Sequence, residues 1–128
     1  MTEVTCAIII EKEKVLITQR SEQMPHPFKW EFPGGKVKDG ESPEYSIKRE
    51  IMEELGLKIA VQQLLNSVKH DYGTHSIKLI PFICSVTEGE ILLSEHKSFR
   101  WILVADMDSV DWLDADVGVV KDLKERLR

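Results

Sequence analysis

Apolar residues come in short blocks separated by polar turns, and the spacing within each block predicts its local structure. Val4 to Ile10 is an almost unbroken apolar run, the pattern of a strand covered on both faces. Glu11-Lys12-Glu13-Lys14 reads as a polar turn, and Val15 to Gln19 as the returning strand of a hairpin. Pro25 and Pro27 remove two backbone donors and favour extended geometry in the residues before them, so 21–29 reads as a loop. Beyond Gly34-Gly35 the spacing becomes helical. Ile47, Ile51 and Leu55 share one face, Ser42 suits the N-cap, Pro43 the first helical position, and Gly56 the left-handed residue that ends a helix. A helix over 43–55 is predicted.

After the helix, Lys58 to Lys69 is rich in aliphatics but alternates poorly, and Ser76 to Val86 reads as a strand. Asp71-Tyr72-Gly73-Thr74 suits the hairpin turn between them, and Pro81 predicts an edge or a bulge. Glu88-Gly89-Glu90 is a turn, Ile91 to Leu93 a short strand candidate, and Ser94 to Ser98 a polar loop with His96 at the surface. Phe99 to Val104 is a further strand. Val117, Val120, Leu123 and Leu127 share the apolar face of a last helix, for which Asp114 is an N-cap candidate. No repeats, low-complexity tracts or linkers appear, so the chain reads as a single domain over 1–128.

Composition narrows the functional classes. With 128 residues, 42% of them hydrophobic and 30% charged, the chain can bury a real core. A net charge of −5 argues against binding a nucleic-acid polymer or an anionic membrane surface, while leaving a free nucleotide acceptable as a ligand. Cys6 and Cys84 lie in apolar strand-like runs and read as reduced, buried thiols. No basic leader and no stretch of about 18 apolar residues is present, and a cytoplasmic location is expected.

The chemistry concentrates on the predicted helix. At about 100° per residue, Glu50, Glu53 and Glu54 fall within about a third of its circumference, beside the apolar face. Helix formation alone does not explain such crowding of like charges. A hard divalent cation does, because Mg²⁺ takes carboxylate oxygens and keeps positions open for a phosphate substrate, and Mn²⁺ can substitute for it. Arg49, four residues before Glu53, can hold one of the carboxylates.

Gly35, Glu41, and the run Arg49-Glu50-Ile51-Met52-Glu53-Glu54-Leu55-Gly56-Leu57 together resemble the Nudix box without a mismatch, at nine positions over 23 residues. The resemblance implies a Nudix-type α/β/α sandwich with a mixed central sheet, and Mg²⁺-dependent cleavage of a nucleoside diphosphate linked to another group. By the same resemblance Glu50, Glu53 and Glu54 are metal ligands and catalytic acids, supported by Arg49. Gly34 adds a main-chain carbonyl ligand, and Glu95 a further ligand or the base that activates water. The MutT-like branch of the family places an arginine at the position of Arg20 against the substrate phosphates. It places Glu31 and Phe32 in the substrate-binding lead-in, a base-contacting cation where this chain has His75, and a base-reading residue where it has Asp116.

These residues predict a MutT-like nucleoside triphosphate pyrophosphohydrolase that releases a nucleoside monophosphate and pyrophosphate, with CTP-like or oxidised deoxynucleotides as candidate substrates. Hydrolysis of dinucleoside polyphosphates or nucleoside-diphosphate sugars is the alternative within the family. A catalytically silent nucleotide-sensing module is the alternative outside it, although such a module would usually have lost a box carboxylate, and none is missing here.

Overall fold

β1 (Thr2–Glu11) is the strand on which the rest is assembled, in a computed structural model that describes residues 1–127. Lys12 and Glu13, both at positive φ, turn the chain into the antiparallel β2 (Lys14–Gln19). β3 (Trp30–Glu31) pairs with β2, and β4 (Gly34–Lys36) runs antiparallel to β1 with Thr5 opposite Gly35. Helix α1 (Pro43–Leu55) follows, then β5 (Lys58–Leu64), β6 (Val68–Asp71), β7 (Ser76–Glu88) and β8 (Ser98–Leu103). β7 lies parallel to β1 from Thr2 opposite Ile77 to Ile9 opposite Cys84, while β5 and β6 pair antiparallel with its other edge and β8 with β2. The sheet is therefore mixed. Two 3₁₀ turns, Val104–Ser109 and Asp114–Asp116, lead into α2 (Val117–Arg126).

Alternation along β1 divides the core in two. Cys6 and Ile8 face α2, where Val119, Val120 and Leu123 pack with Val15, Ile17, Phe32 and Trp112. Ala7 and Ile9 face α1, where Ile47, Ile51 and Leu55 pack with Ile80, Phe82 and Cys84. The strand is covered on both faces, as its unbroken apolar run requires, and helix, sheet and helix form the three layers expected. Cys6 and Cys84 belong to opposite layers as free buried thiols, and burial pushes Cys84 up to about 12.

α1 has the predicted limits. The Ser42 side chain accepts from the Tyr45 N–H at 3.1 Å, and Gly56, at φ 68°, donates its N–H to the Met52 carbonyl. The turn at 71–74 also forms as expected: Gly73 sits at φ 90° and its N–H donates to Asp71 Oδ1 at 2.7 Å.

Elsewhere tertiary packing overrides local pattern. Ile91 to Leu93 is not a strand: the Leu92 N–H donates to the Leu55 carbonyl, and Ile91 and Leu93 pack on the α1 layer, so the segment is spent on the end of the helix. Pro81 lies in an interior strand. The ladder bond it cannot donate falls where the neighbouring edge changes from β5, ending opposite Phe82, to β6, beginning with Val68 opposite Leu79. In the last helix Val119 replaces Val117 and Leu127 on the buried face; Val117 is 53% and Leu127 43% exposed. Asp114 does not cap that helix, because the chain enters it through a 3₁₀ turn with no side-chain cap. His26, expected to be extended before Pro27, has φ 53°; the 21–29 loop closes tightly enough for the Arg20 N–H to donate to the Lys29 carbonyl.

Candidate active site

A cleft of about 370 Å³ opens where β1, β4, the end of α1 and the β6–β7 turn meet. Gly34, Gly35 and Glu54 line it beside α1, Tyr72, His75, Leu113 and Asp116 line it beside the β6–β7 turn and the approach to α2, and Arg20 and Glu31 line it as well.

The helix geometry assigns each box carboxylate a different environment. Taking Glu50 as zero, Glu54 lies at about +40° and Ile47 at about +60°, while Glu53 lies at about −60°, away from the apolar face. Accordingly the Glu53 side chain is 52% exposed and that of Glu50 17%. Glu54 is driven deepest, and its carboxyl is pushed up to about 9, first by burial and then by Glu50 and Glu31, with Glu95 adding to the repulsion. Among the described residues its side chain has one hydrogen bond, accepted at Oε2 from the Gly34 N–H at 3.2 Å.

Arg49 organises the outer carboxylates. Its guanidinium takes both oxygens of Glu41, through Nε and through Nη2 at 2.9 Å, and its Nη1 reaches Glu50 at 3.0 Å and Glu53 at 2.8 Å. The hydrogen bond from Arg49 holds the Glu41 carboxyl down to about 2. The pairing with Glu53 matches the i,i+4 expectation, but the forked contact with Glu41 is what fixes the plane of the guanidinium. Glu41 was not among the candidate site residues, although its place in the box pattern was already a signal. Gly35 completes this end: a Cβ there would overlap the Glu50 carboxylate, so only glycine lets that side chain lie against the loop.

Two expected ligand positions can be located by backbone geometry. In the β1–β4 ladder the Ala7 N–H bonds the Pro33 carbonyl and the Val37 N–H bonds the Glu3 carbonyl, which makes Thr5 and Gly35 a hydrogen-bonded pair and leaves the polar groups of Gly34 directed away from β1. The Gly34 N–H confirms this by reaching Glu54 on α1, and its carbonyl lies on the same edge. Glu95 is exposed on the 94–97 loop, near enough to Glu54 to be one of the charges that repel it. Among the described residues no three His, Cys, Asp or Glu side chains converge into a ready-made metal site. The donor set nevertheless suits Mg²⁺, which uses one or two carboxylates and leaves the remaining positions to water and substrate phosphate. Glu54 and Glu50 with the Gly34 carbonyl offer such a set, and among the described residues no lysine or arginine pairs with Glu54.

Arg20 and Glu31 form a pair within the cleft, Nη1 to Oε1 at 2.9 Å, and Arg20 Nε donates to the Pro25 carbonyl at 2.6 Å. His96, expected at the surface, is buried: its ring nitrogen Nε2 lies 2.9 Å from Glu31 Oε2. A polar loop in sequence gave no sign that this one ring would turn inward.

At the far end, Asp116 is 4% exposed and its Oδ2 accepts the Phe32 N–H at 2.8 Å. Burial pushes its carboxyl well above the usual range, and Glu31 pushes it further. A neutral carboxyl can donate as well as accept. The Phe32 ring itself lies in the core against Trp112, centroids 4.9 Å apart, so Phe32 meets the cleft chiefly as its floor. His75 is exposed and stacks on Tyr72, which in turn stacks on His26 from the 21–29 loop. Tyr72 and His26 were read only as turn and loop residues; the sequence offers no signal that they meet.

Residues 1–123 match the NUDIX domain family. The chain is 34% identical over 126 residues to an 8-oxo-dGTP diphosphatase of Buchnera aphidicola subsp. Schizaphis graminum, covering 98% of this chain and 95% of that one. It is 34% identical over 101 residues to the CTP pyrophosphohydrolase of Escherichia coli, covering 79% of this chain and 75% of that one. Its fold superposes on the solution structure of the E. coli ORF135 protein with a TM-score of 0.85 at 29% identity, covering 98% of this chain and 89% of that one. The box found in the sequence thus sits on the fold of the proteins that share it, and the chain belongs to the Nudix family of hydrolases acting on phosphoric anhydride bonds.

Proposed function

We propose that the chain, acting as a single domain over 1–128, is a Mg²⁺-dependent nucleoside triphosphate pyrophosphohydrolase that releases a nucleoside monophosphate and pyrophosphate. The observation that carries this reading is the union of two chemistries in one cleft, which is lined by the acid Glu54, the buried acid Asp116 and the arginine Arg20. A triphosphate chain and a base could occupy the two ends together.

In this reading Glu50, Glu54 and the Gly34 carbonyl hold the cation, with Glu53 and Glu95 completing the acidic cluster. When bound, the ion neutralises phosphate oxygens and assists the attack of water on phosphorus. Arg49 holds Glu50 and Glu53 in place through Nη1, while Glu41 prevents the guanidinium from turning. Glu50 or Glu95 accepts the proton of the attacking water. Arg20 has Nε and Nη1 committed to protein oxygens, which leaves Nη2 to a phosphate. Asp116 reads the base edge from its fixed place beside the Phe32 N–H, and His75 with Tyr72 forms the open wall next to it. CTP-like and oxidised deoxynucleotide triphosphates are the candidate substrates, in line with the names of the two relatives at 34% identity.

The test is pyrophosphate release from a panel of ribo-, deoxyribo- and oxidised nucleoside triphosphates with Mg²⁺. Turnover of at least one with monophosphate as co-product is expected. Binding without turnover across the panel would instead favour the silent sensing module, and turnover of only dinucleoside polyphosphates or nucleotide sugars would move the substrate to the family's other classes.

A further inference from the structure

Of the four histidines in the chain, only His96 is buried, at 7% exposure. Its Nδ1 lies buried without a hydrogen-bond partner among the described residues, while its Nε2 is 2.9 Å from Glu31 Oε2. An aliphatic side chain would fill the space without stranding a polar atom, so packing does not account for the residue. A carboxylate offers only acceptors, so Nε2 is assigned as the donor of this bond.

The location of this bond suggests its role. The 94–97 loop is tied by backbone at its two ends: the Ser94 N–H donates to the Glu54 carbonyl at 3.1 Å, and the Lys97 N–H to the Gln19 carbonyl at 2.9 Å. One anchor is the end of the box helix and the other is the residue before Arg20. Between them, Glu95 faces solvent near the acidic cluster and His96 turns inward onto Glu31. The second oxygen of Glu31 holds Arg20 Nη1 at 2.9 Å. One carboxylate thus joins the loop that carries Glu95 to the arginine that faces the cleft.

We infer that His96 is a positioning residue whose Nε2–H bond to Glu31 locks the Glu95 loop and the Arg20 side chain into one relative geometry. It touches neither substrate nor reacting atoms; its effect on turnover rests on the pyrophosphohydrolase reading above. Without it, Glu31 is free to rotate and take both Nη1 and Nη2 of Arg20 in a forked pair, the stronger arrangement for that couple. Arg20 then loses its open edge, and the middle of the loop loses its side-chain tether.

The test compares His96→Gln with His96→Asn in the full chain. The glutamine amide reaches the position of Nε2 and can donate to Glu31, whereas the asparagine amide stops near that of Nδ1. Two readouts are taken: backbone hydrogen exchange at 94–98 in the free protein, and kcat and KM for the best nucleotide triphosphate. His96→Asn should exchange faster in the loop, lose about 10- to 100-fold in kcat through the misplaced acid, and show a raised KM through Arg20. His96→Gln should restore both readouts to near wild type. His96→Leu, which fills the space without a donor, takes the place of His96→Asn should that variant not fold. Equal behaviour of the donor and non-donor variants, whether both normal or both impaired, would overturn the inference. A wild-type protein that releases pyrophosphate from no nucleotide defeats the functional reading alone, because loop exchange still decides whether His96 holds the loop.

Discussion

At the acidic end of the cleft each contact joins residues close in the chain: Arg49 reaches Glu41 eight residues back, Glu50 beside it and Glu53 four residues on, and Gly34 reaches Glu54 across 20. At the other end Asp116 reaches Phe32 across 84 residues, and the wall beside it comes from the β6–β7 turn and the 21–29 loop. The first end is a glycine loop and one helix, so its geometry follows from helical period and caps. The second has no geometry until the sheet has brought three distant segments together. Charge divides the site differently: Glu41, Glu50 and Glu53 are each paired with Arg49, whereas Glu54 and Asp116 have no salt-bridge partner among the described residues, and both rise above the usual range. In the proposed function Glu54 would bind the cation and Asp116 would meet the base.

Glu54→Gln should break the acidic end most severely. Losing a ligand from the charge-stabilising apparatus is expected to lower kcat by at least about 10³-fold while circular dichroism and the melting profile stay those of a folded protein. A folded variant with near-normal kcat would remove the basis for assigning the cation to this end.

Millimolar Mg²⁺ or Mn²⁺ should stabilise the wild-type protein against heat, by about 2.7 kcal/mol at 100 times the dissociation constant and on the order of 10 °C in melting temperature. Asp116→Ala should keep this shift and Glu54→Gln should lose most of it. Identical melting in chelator and in excess metal, with nucleotide also present, would count against a cation at either end.

Asp116→Ala sharpens the comparison from the other side. It should cost about 1–3 kcal/mol, or roughly 5- to 150-fold in kcat/KM, on the preferred nucleotide and much less on poor ones. An equal proportional loss on every nucleotide would show that Asp116 does not read the base.

The smallest effect concerns stability against pH. With its pKa raised in the folded state, Asp116 keeps its proton there while the unfolded chain releases one above the ordinary aspartate value, so its contribution falls as pH rises from about 4. Asp116→Asn carries no such titration. Urea midpoints should converge near pH 3 and separate in favour of the variant towards pH 8; parallel curves across that range would mean that folding does not raise the Asp116 pKa.

Residues 43–55 determine their own helix, because Ser42, Pro43 and Gly56 supply the caps and Ile47, Ile51 and Leu55 the buried stripe, all within a few turns. The same spacing gathers Glu50, Glu53 and Glu54 on one arc beside that stripe, and the unbroken run at Val4–Ile10 requires cover on both faces. Local pattern failed where a segment's partner lies far along the chain. Ile91–Leu93 has a strand's composition but is taken up by the end of α1, Val117 has a helix-face position but points to solvent, and His96 sits in a polar loop but is drawn into the protein by Glu31, 65 residues earlier. Periodicity reports which face of an element is apolar, whereas burial of a polar side chain depends on whether a hydrogen-bond partner arrives to offset desolvation. Short-range order in this chain therefore belongs to the sequence, while the depth of Asp116 and His96 was decided only when the sheet closed around them.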